Sequence, residues 1–394
     1  MVSFMDEVER MTEPRLENGA ARERVVVVGG GPAGLAVAAV LKSKDIDALI
    51  LDRGDSIGAS WKAHYDRLHL HTVRWLSNLP GLQLPRADGR WVARDAVVRY
   101  LRRYVDHHAL RVQLSTTAHS VMHESSAWKI QTHNGPISAD AVVIATGHNG
   151  QAVMPDWPGV AGFAGELMHS SAYRSGLRYA GKDVLVVGAG NSGVEIAVDL
   201  VEHHARKVWF SVRTPPNIMR RDLAGLPTQV MGILFRRLPM SVGDKIAGAT
   251  KRLTVGDLSK FGMPQPERGL YTRVRNDDRI PILDVGLIKA LKRGAVEAVP
   301  AVEGFDGADV VLRGGKRVAP GAVVAATGFR RDLDDLVGHL GVLDAKGDPL
   351  FNGAATDPRL PDLYFLGYSN PLSGNLRELG IDARRNARSI AAEV

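Results

Sequence analysis

The hydrophobic pattern of the chain contains the same arrangement twice. Residues 25–28 are four consecutive valines, and residues 183–187 read DVLVV. Runs this short and this apolar are typical of parallel strands that are covered on both faces. A glycine-rich turn follows each run, and a helical pattern of small and apolar residues follows each turn. The sequence therefore predicts two strand–turn–helix units within one chain.

The first turn has the spacing of a dinucleotide-binding loop. Gly29, Gly31 and Gly34 fit G-x-G-x-x-G, and the next strand, DALILD, ends at Asp52. The first glycine permits a tight turn, the second lets the backbone approach a pyrophosphate, and the third lets the helix pack on the strand. The helix N-terminus then faces the phosphates, and Asp52 can accept a hydrogen bond from a ribose 2′-hydroxyl. The flanking residues of this predicted FAD site are Pro32, Ala33 and Arg53.

The second turn repeats this spacing with a different partner. Its residues are Gly188, Gly190, Asn191, Ser192 and Gly193. The strand that follows, KVWFSV, ends without an acid; Ser211 and Arg213 stand there instead, and Arg220 follows. A cation at this position suits the 2′-phosphate of NADPH, which a carboxylate would repel. Two such units predict an electron relay, in which a flavin held by the first loop accepts hydride from a nicotinamide held by the second.

Two later segments, ADAVVIATGHN at 139–149 and PGAVVAATGFR at 320–330, are near twins. Each has the pattern of a buried strand that ends in Ala-Thr-Gly, where small residues let the backbone approach a cofactor. We interpret them as places where the chain passes between domains, and the Pro-rich MPDWPG after the first predicts a boundary near Pro158. The predicted FAD contacts in these segments are Thr146, Gly147, Thr327 and Gly328.

The whole pattern predicts an α/β fold with two Rossmann-like, three-layer dinucleotide-binding domains. The FAD-binding domain takes residues 23–158 and 321–394, and the NADPH-binding domain, 159–320, is inserted between its two parts. Residues 1–22 are expected to be disordered. Residues 222–262 mix short amphipathic helices with Gly and Pro, and they form either a wall of the substrate cavity or an ordinary packing or subunit contact.

Composition excludes several classes of site and partner. The 394 residues include no cysteine, so disulfides, Cys-ligated zinc and a CxxC redox pair are excluded. No glycine-free apolar run approaches the roughly 20 residues of a membrane span, and the N-terminus lacks the apolar core of a secretory signal. We therefore expect a cytoplasmic protein without stable membrane insertion.

Charge and histidine spacing add two further expectations. The net charge of +7 suits an anionic ligand, but the Lys and Arg residues are scattered, so we expect no nucleic-acid binding. No metal-ligand spacing stands out, and we expect no metal. His107 and His108 are interpreted as surface residues, because neighbours in a helix do not share a face.

The stretch FAGELMHSSAY, residues 163–173, lies between the two glycine loops. Its residues Phe163, Gly165, His169 and Tyr173 resemble the fingerprint F-x-G-x-x-x-H-x-x-x-aromatic of class B flavin-dependent monooxygenases. Related Baeyer–Villiger enzymes usually carry Trp at the last position, so Tyr173 favours the flavin-containing monooxygenase branch. We expect the fingerprint at the domain junction, where His169 bridges backbone segments and acts in coupling and hinge motion, not in acid–base catalysis.

A narrower resemblance runs almost from end to end. SIGASWKAHYDRLHLHTVRWLSNLP and GDLSKFGMPQPERG…IPILDVGLIKALKRG are similar to YUCCA-type monooxygenases and their bacterial relatives, and ATGF at 326–329 resembles the family's ATGY element. That family converts indole-3-pyruvate to indole-3-acetic acid. The resemblance implies FAD, NADPH and O2: NADPH reduces FAD, O2 adds at flavin C4a, and the (hydro)peroxide gives one oxygen atom to a small organic substrate at N, S or a carbonyl carbon.

Departures from the family pattern concern the flavin site. The family's G-G-x-W is GASW here, which ends in Ser60 and Trp61. Many flavin-containing monooxygenases place an Asn beside the flavin reaction centre, and alignment by eye puts His71 in that position, with Asn78 nearby. The near-flavin donor is therefore undecided between these two residues, and a purely structural role for His71 stays open.

The sequence shows no pair of residues placed for acid–base catalysis. The mechanism that the resemblance implies assigns roles to two further groups of residues. Gly374 and Asn375 begin a helix whose positive end faces the reduced flavin; the alternative is a capped surface helix. Asn191, a third near-flavin candidate, and Ser192 hold the oxidised NADP, which shields the reactive flavin from water.

Two alternative functions stay open on the sequence alone. A reductase of the same architecture would pass electrons from NADPH to another acceptor without oxygenation, although the missing CxxC argues against the disulfide type. A flavin-binding sensor without catalysis is less compatible with two complete loops. An enzyme of either kind acts on a small molecule. The oligomeric state cannot be read from the sequence, and a homodimer is the working expectation.

Overall fold

Strands and helices alternate as the repeated sequence pattern predicts. The computed structural model describes residues 15–17, 20–124, 126–223, 225–235, 238–277 and 280–394. The strands are β1 (Arg15–Glu17), β2 (Ala20–Val28), β3 (Ala48–Leu51), β4 (Arg111–Gln113), β5 (Ala118–Glu124), β6 (Ala127–Thr132), β7 (Gly135–Ile144), β8 (Gln151–Ala152), β9 (Glu166–His169), β10 (Asp183–Val187), β11 (Lys207–Ser211), β12 (Ile218–Arg220), β13 (Asp222–Leu223), β14 (Leu226–Pro227), β15 (Ile282–Asp284), β16 (Val296–Val299), β17 (Val302–Asp306), β18 (Asp309–Leu312), β19 (Arg317–Val318), β20 (Ala322–Ala325), β21 (Phe329–Arg330) and β22 (Leu363–Phe365).

Helices follow the glycine loops and cover the sheets. The α-helices are α1 (Pro32–Lys42), α2 (Ala59–Lys62), α3 (Arg94–His108), α4 (Asn191–Glu202), α5 (Thr228–Phe235), α6 (Met240–Thr254), α7 (Leu270–Asp277), α8 (Leu287–Lys292), α9 (Asp334–Val337) and α10 (Asn375–Glu393). Short 3-10 helices lie at Arg74–Leu76, Arg86–Asp88, Val160–Gly162, Gly176–Tyr179, Ser259–Phe261 and Gly338–Leu340.

The first sheet carries the first glycine loop. Its main path is β4-β3-β2-β7-β6-β5, with β1 paired to β2 and β22 paired to β7. Strands β2, β3, β4, β7 and β22 are parallel to one another, whereas β5, β6 and β7 form an antiparallel meander. Helices α1, α3 and α10 bury an apolar core on one face of this sheet. Because β22 is far along the chain, the domain is built from two separated segments.

The second sheet carries the second glycine loop. Its five strands are all parallel, in the order β16-β11-β10-β20-β9. Helices α4 and α8 pack on one face, and the antiparallel sheet β17-β18-β19 packs on the other. The α/β class with two Rossmann-like domains, one inserted in the other, is therefore confirmed.

The two places where the chain crosses between the sheets pair with each other. Strands β8 and β21 are antiparallel, and we call residues 150–153 and 328–330 the hinge ribbon. Trp157 is buried against Phe305 of the second domain, with ring centroids 5.6 Å apart. Strand β20 still pairs within the second sheet. The boundaries at 158 and 321 stay predictions, with Trp157 in contact with the second domain just before the first of them and β20 paired in the second sheet just after the other.

The segment 222–262 contains α5 and α6, and the strands β12 and β15, which precede and follow it in the chain, pair in parallel.

Most of the segment expected to be disordered, 1–22, lies outside the described residues, but β1 pairs with the start of β2. Among the described residues, no helix is long and apolar enough to cross a membrane. The same residues contain no cluster of three or more His, Asp or Glu side chains arranged to hold a metal ion.

Candidate active site

Both glycine loops have the close packing that a dinucleotide site requires. A Cβ on Gly34 would lie 1.9 Å from the carbonyl oxygen of Gly29, and a Cβ on Gly193 would lie 2.0 Å from that of Gly188. Only glycine lets each helix come this near its strand. Gly29 and Gly188 themselves have φ of +114° and +115°, which L side chains rarely adopt.

The middle glycine of each loop leaves open space. A Cβ on Gly31 or on Gly190 would meet no protein atom within 4 Å, and each glycine precedes the first residue of a helix. The exposed backbone N–H groups and the helix dipole favour an anion in that space. The first loop therefore fits the pyrophosphate of FAD, and the second fits that of NADPH.

A cavity of about 1130 Å³ extends from the first glycine loop to the segment 222–262. Its volume exceeds the roughly 300–1,000 Å³ of a site for one drug-sized ligand, so it has room for a cofactor together with a substrate. The predicted FAD contacts on its wall are Gly29, Gly31, Pro32, Ala33, Asp52, Arg53, Ser60, Trp61, His71, Thr146, Gly147, Gly374 and Asn375.

Asp52 is held at the edge of this cavity by two backbone groups. Its Oδ2 accepts the N–H of Gly30 at 2.6 Å, and its Oδ1 accepts the N–H of Gly54 at 2.7 Å. A carboxylate oxygen has two lone pairs, so each retains one for a further donor. The geometry fits the expected hydrogen bond to a ribose hydroxyl.

The predicted contacts of the second loop divide into three groups. Asn191 and Ser192 lie on the cavity wall. Ser211 is buried, and its hydroxyl donates to the carbonyl of Pro300 at 2.9 Å. Arg220 donates through Nε to the carbonyl of Thr254 at 2.8 Å. By contrast, Arg213 is exposed and forms no hydrogen bond or ion pair with the described residues, so its guanidinium is the one of these groups that is fully available for a 2′-phosphate.

The three near-flavin candidates have different surroundings. His71 lies on the cavity wall, where burial, followed by the charges of Arg221, Arg67 and His69, lowers the pKa of His71 to about 4. The imidazole is therefore neutral near pH 7. Asn191 also lies on the wall, and its Oδ1 accepts the N–H of Leu283 at 3.3 Å.

Asn78 is held within its own loop. Its Oδ1 accepts the N–H of Leu84 at 2.8 Å, and its Nδ2 donates to the carbonyl of Trp75 at 3.3 Å. The wall of the cavity does not include Asn78. Among the described residues, the structure thus brings His71 and Asn191 to the cavity and assigns Asn78 a loop-holding contact.

The fingerprint lies against the hinge ribbon. Nδ1 of His169 accepts the backbone N–H of Ser171 at 3.1 Å, so Nε2 carries the proton and donates to the carbonyl of Gly328 at 3.1 Å. Burial lowers the pKa of His169, in keeping with this neutral tautomer. The His169 ring also packs edge-on against Phe329 at 4.9 Å.

The remaining fingerprint residues support this junction from within the second domain. Phe163 packs on Phe305 with ring centroids 5.0 Å apart. A Cβ on Gly165 would lie 2.5 Å from the ring of Phe163. The hydroxyl of Tyr173 donates to Asp199 of α4 at 2.7 Å. None of these three residues lines the cavity, so their contacts are structural.

The twin Ala-Thr-Gly segments occupy equivalent places beside different loops. Thr146 bonds the hydroxyl of Tyr368 at 2.8 Å and lies on the cavity wall. Thr327 instead donates to the carbonyl of Val153 in the hinge ribbon. Thr327 and Gly328 were expected to contact FAD, but β20 ends in the second sheet and carries them to the second glycine loop and the ribbon, away from the cavity wall.

Segment 222–262 provides the far wall of the cavity. Its lining residues are Leu223, Thr228, Gln229, Met231, Gly232, Phe235, Ile246, Ala247 and Thr250. Gln229, which the sequence analysis missed, is buried and bridges two parts of the first domain: it accepts the N–H of Val73 at 3.0 Å and donates to the carbonyl of Ser373 at 2.6 Å. This clamp holds the residue that precedes Gly374, at the start of α10.

A buried ion pair between the domains was also missed. Arg67, from the first domain, pairs with Glu195 and Glu202 of α4. The signal in the sequence is GVEIAVDLV, where Glu195 and Asp199 interrupt an apolar helix face at a spacing of four residues. Acids on a buried face need partners, and the partners lie far away in the sequence.

Comparison with known proteins agrees with this geometry. Residues 26–222 match the family described as pyridine nucleotide-disulphide oxidoreductase. The chain is 34% identical to indole-3-pyruvate monooxygenase YUCCA1 of Oryza sativa subsp. japonica over 81% of both chains. It is 33% identical to indole-3-pyruvate monooxygenase YUCCA8 of Oryza sativa subsp. indica over 93% of this chain and 90% of that one.

Solved structures of flavin monooxygenases have a similar fold. The flavin-containing monooxygenase from Stenotrophomonas maltophilia is 26% identical, with a TM-score of 0.72 over 94% of this chain and 98% of that one. A cyclohexanone monooxygenase bound to epsilon-caprolactone, 19% identical with a TM-score of 0.71 over 94% of this chain and 87% of that one, shares the fold. The alternative of a reductase without oxygenation is not favoured. The chain belongs to the flavin monooxygenases, in the YUCCA-type family.

Proposed function

We propose that this flavin monooxygenase oxidatively decarboxylates an aryl pyruvate, with indole-3-pyruvate as the leading substrate. Its cofactors are those of its family, FAD and NADPH, with O2 as co-substrate. The observation that carries the proposal is the cavity, whose wall includes the first glycine loop, Asn191 and Ser192 of the second loop, and the segment 222–262. A substrate in this cavity would lie between both dinucleotide sites.

The wall far from the first loop suits a flat aromatic ring. Met231, Phe235, Ile246 and Tyr271 lie there, and apolar and aromatic side chains bind such rings by burial and by stacking. The relatives that match at more than 30% identity are described as acting on indole-3-pyruvate. The indole ring is an aromatic group of this kind.

The reaction is balanced with these cofactors. One O2, one NADPH and one proton convert the 2-oxo acid to the acid that is one carbon shorter, with release of CO2, water and NADP+. Bound FAD supplies the hydride acceptor and the site where O2 is activated. Gly31 and Gly190 would hold the two pyrophosphates, and the apolar wall would exclude water from the reacting atoms.

An assay of product and NADPH tests this proposal. Purified protein, loaded with FAD, should consume NADPH and O2 in a one-to-one ratio with formation of indole-3-acetate from indole-3-pyruvate. Phenylpyruvate and a sulfide or amine of similar size serve as comparison substrates. NADPH consumption that yields only H2O2 with every aryl pyruvate, together with oxygenation of the sulfide or amine, would reject the proposed substrate class.

Arg213 should decide the preference for NADPH over NADH. Arg213→Ala removes a guanidinium that is free to bind the 2′-phosphate, so we expect KM for NADPH to rise by about tenfold to a hundredfold, with KM for NADH nearly unchanged. Arg220→Ala is the matched comparison, because Arg220 is already bonded to Thr254. Steady-state kinetics with both nucleotides measure the effect, and an unchanged NADPH-to-NADH preference in Arg213→Ala would contradict it.

We infer that the protein has no nucleic-acid partner, that it forms a homodimer and that it is cytoplasmic. Light scattering on the purified protein measures the oligomeric state. Fractionation of the source cells measures the location.

A further inference from the structure

Glu195 is a carboxylate buried at the contact between the two domains. Its side chain is 1% exposed, and it projects from α4, the helix that follows the second glycine loop. Glu195 follows Asn191 by four residues, so the two side chains lie on one face of α4. The helix that brings Asn191 to the cavity wall therefore also brings Glu195 to the first domain.

Arg67 holds this carboxylate in place. Its Nη1 donates to Oε2 of Glu195, its Nε and Nη2 donate to Glu202 at 2.8 and 2.9 Å, and Nη2 also reaches the carbonyl of Val285 at 3.1 Å. Burial raises the pKa of Glu195, and the charge of Arg67 opposes that rise. With most of its donors engaged, Arg67 fixes one oxygen of Glu195 and leaves Oε1 for another partner.

That partner is His71 of the first domain. Nε2 of His71 lies 3.4 Å from Oε1 of Glu195, whereas Nδ1 is buried and has no hydrogen-bond partner among the residues that the structure describes. His71 lies on the cavity wall. A carboxylate at Nε2 favours the tautomer with the proton on Nε2, which makes Nδ1 an acceptor. Buried polar atoms without a partner are rare, and each needs an explanation; on the wall of a cavity, a bound group that completes the contact is one.

We propose that Glu195 is a positioning residue for the oxygenation reaction: it fixes the tautomer and orientation of His71, so that Nδ1 accepts a hydrogen bond from an O–H or N–H donor at the reaction centre. The inference rests on the monooxygenase function proposed above. Because Glu195 and His71 belong to different domains, the acceptor is correctly held only when α4 is docked on the first domain. Oxygen activation is thereby tied to the closed arrangement of the two nucleotide sites.

A pair of matched variants tests this role in the FAD-loaded enzyme. Glu195→Gln and Glu202→Gln each remove one charged partner of Arg67 from the same helix, but only the first faces His71. The readout is the rate at which NADPH-reduced flavin is reoxidised by O2 without substrate, which depends on protection of the reaction centre and not on substrate identity. We expect Glu195→Gln to accelerate reoxidation by about tenfold and Glu202→Gln to match the wild type.

A double mutant shows whether Glu195 acts through His71. If it does, Glu195→Gln should have no further effect in a His71→Asn background. Equal effects in both backgrounds would mean that Glu195 acts independently of His71 and would overturn the proposal. Wild-type reoxidation by Glu195→Gln would overturn it too. Failure of the indole-3-pyruvate assay leaves these outcomes readable, because no substrate is present.

A spectroscopic readout decides the matter if Glu195→Gln does not fold. The resting wild-type enzyme, with 15N-labelled histidine, should show the His71 imidazole neutral and protonated on Nε2 at pH 6, and His71→Asn identifies its signals. A charged His71 at that pH, or a proton on Nδ1, would reject the proposed acceptor. In a folded Glu195→Gln protein, the signals should shift toward a mixture of tautomers, whereas Glu202→Gln should leave them unchanged.

Discussion

Gly34→Ala should produce a protein that does not retain FAD. The new methyl group would lie 1.9 Å from the carbonyl oxygen of Gly29 and 3.0 Å from a methyl group of Val27. The first contact is with backbone, so α1 must move away from β2, at a cost of about 3 kcal/mol or more. This is a large part of the free energy of unfolding of a typical domain. Flavin absorbance per protein after purification measures the loss.

Two matched variants separate packing from cofactor binding. Gly31→Ala places its methyl group in open space, so the protein without cofactor should melt at the wild-type temperature, while its affinity for FAD falls because the methyl group occupies the cradle. Gly193→Ala repeats the packing clash at the second loop, 2.0 Å from the carbonyl oxygen of Gly188. That variant should stay yellow but should not be reduced by NADPH. Full FAD content in Gly34→Ala would show that the loop tolerates a displaced helix.

The sequence predicts the geometry of the two glycine loops well because its causes are local. A buried strand, three glycines and a helix lie within about ten residues of one another, and each glycine is required by a contact inside that unit. Gly34 and Gly193 meet their own loops in the same way. The order of the loops and the return of the chain to the first sheet follow from the same repeated pattern.

Contacts between distant segments explain what the sequence analysis missed. Trp157 has the sequence context of a Pro-rich linker, yet it is buried against Phe305 of the second domain. In the sequence, Glu195 cannot be distinguished from an acid on the exposed face of a helix. Only the fold brings Arg67, 128 residues away, beside it. Ser211 stands at the expected end of its strand, but its hydroxyl bonds Pro300. Pairings of this kind depend on the docking of domains, which no local pattern encodes.

The hinge ribbon makes His169 the fingerprint residue with the largest expected effect on coupling. The ribbon is held by two backbone bonds of 3.0 Å, from Gly150 to Arg330 and from Val153 to Gly328. The carbonyl of Gly328 also accepts a hydrogen bond from Nε2 of His169. The imidazole thus ties the second sheet, through β9, to the strand pair at which the chain crosses between the domains. Its effect should be on the relative position of the domains, since it does not lie on the cavity wall.

His169→Ala should therefore lower the ratio of oxygenated product to H2O2 by about tenfold and slow the anaerobic reduction of flavin by NADPH. His169→Gln keeps an N–H group that can donate to Gly328, and it should recover much of both properties. Ser171→Ala removes the Oγ that lies 3.0 Å from Nδ1 of His169 but retains the backbone N–H that Nδ1 accepts, so its effect should be much smaller than that of His169→Ala. Rapid-mixing spectroscopy and product analysis measure the two quantities. If His169→Ala keeps both at wild-type values, the ribbon holds the domains without the fingerprint histidine, and a coupling role for His169 is wrong.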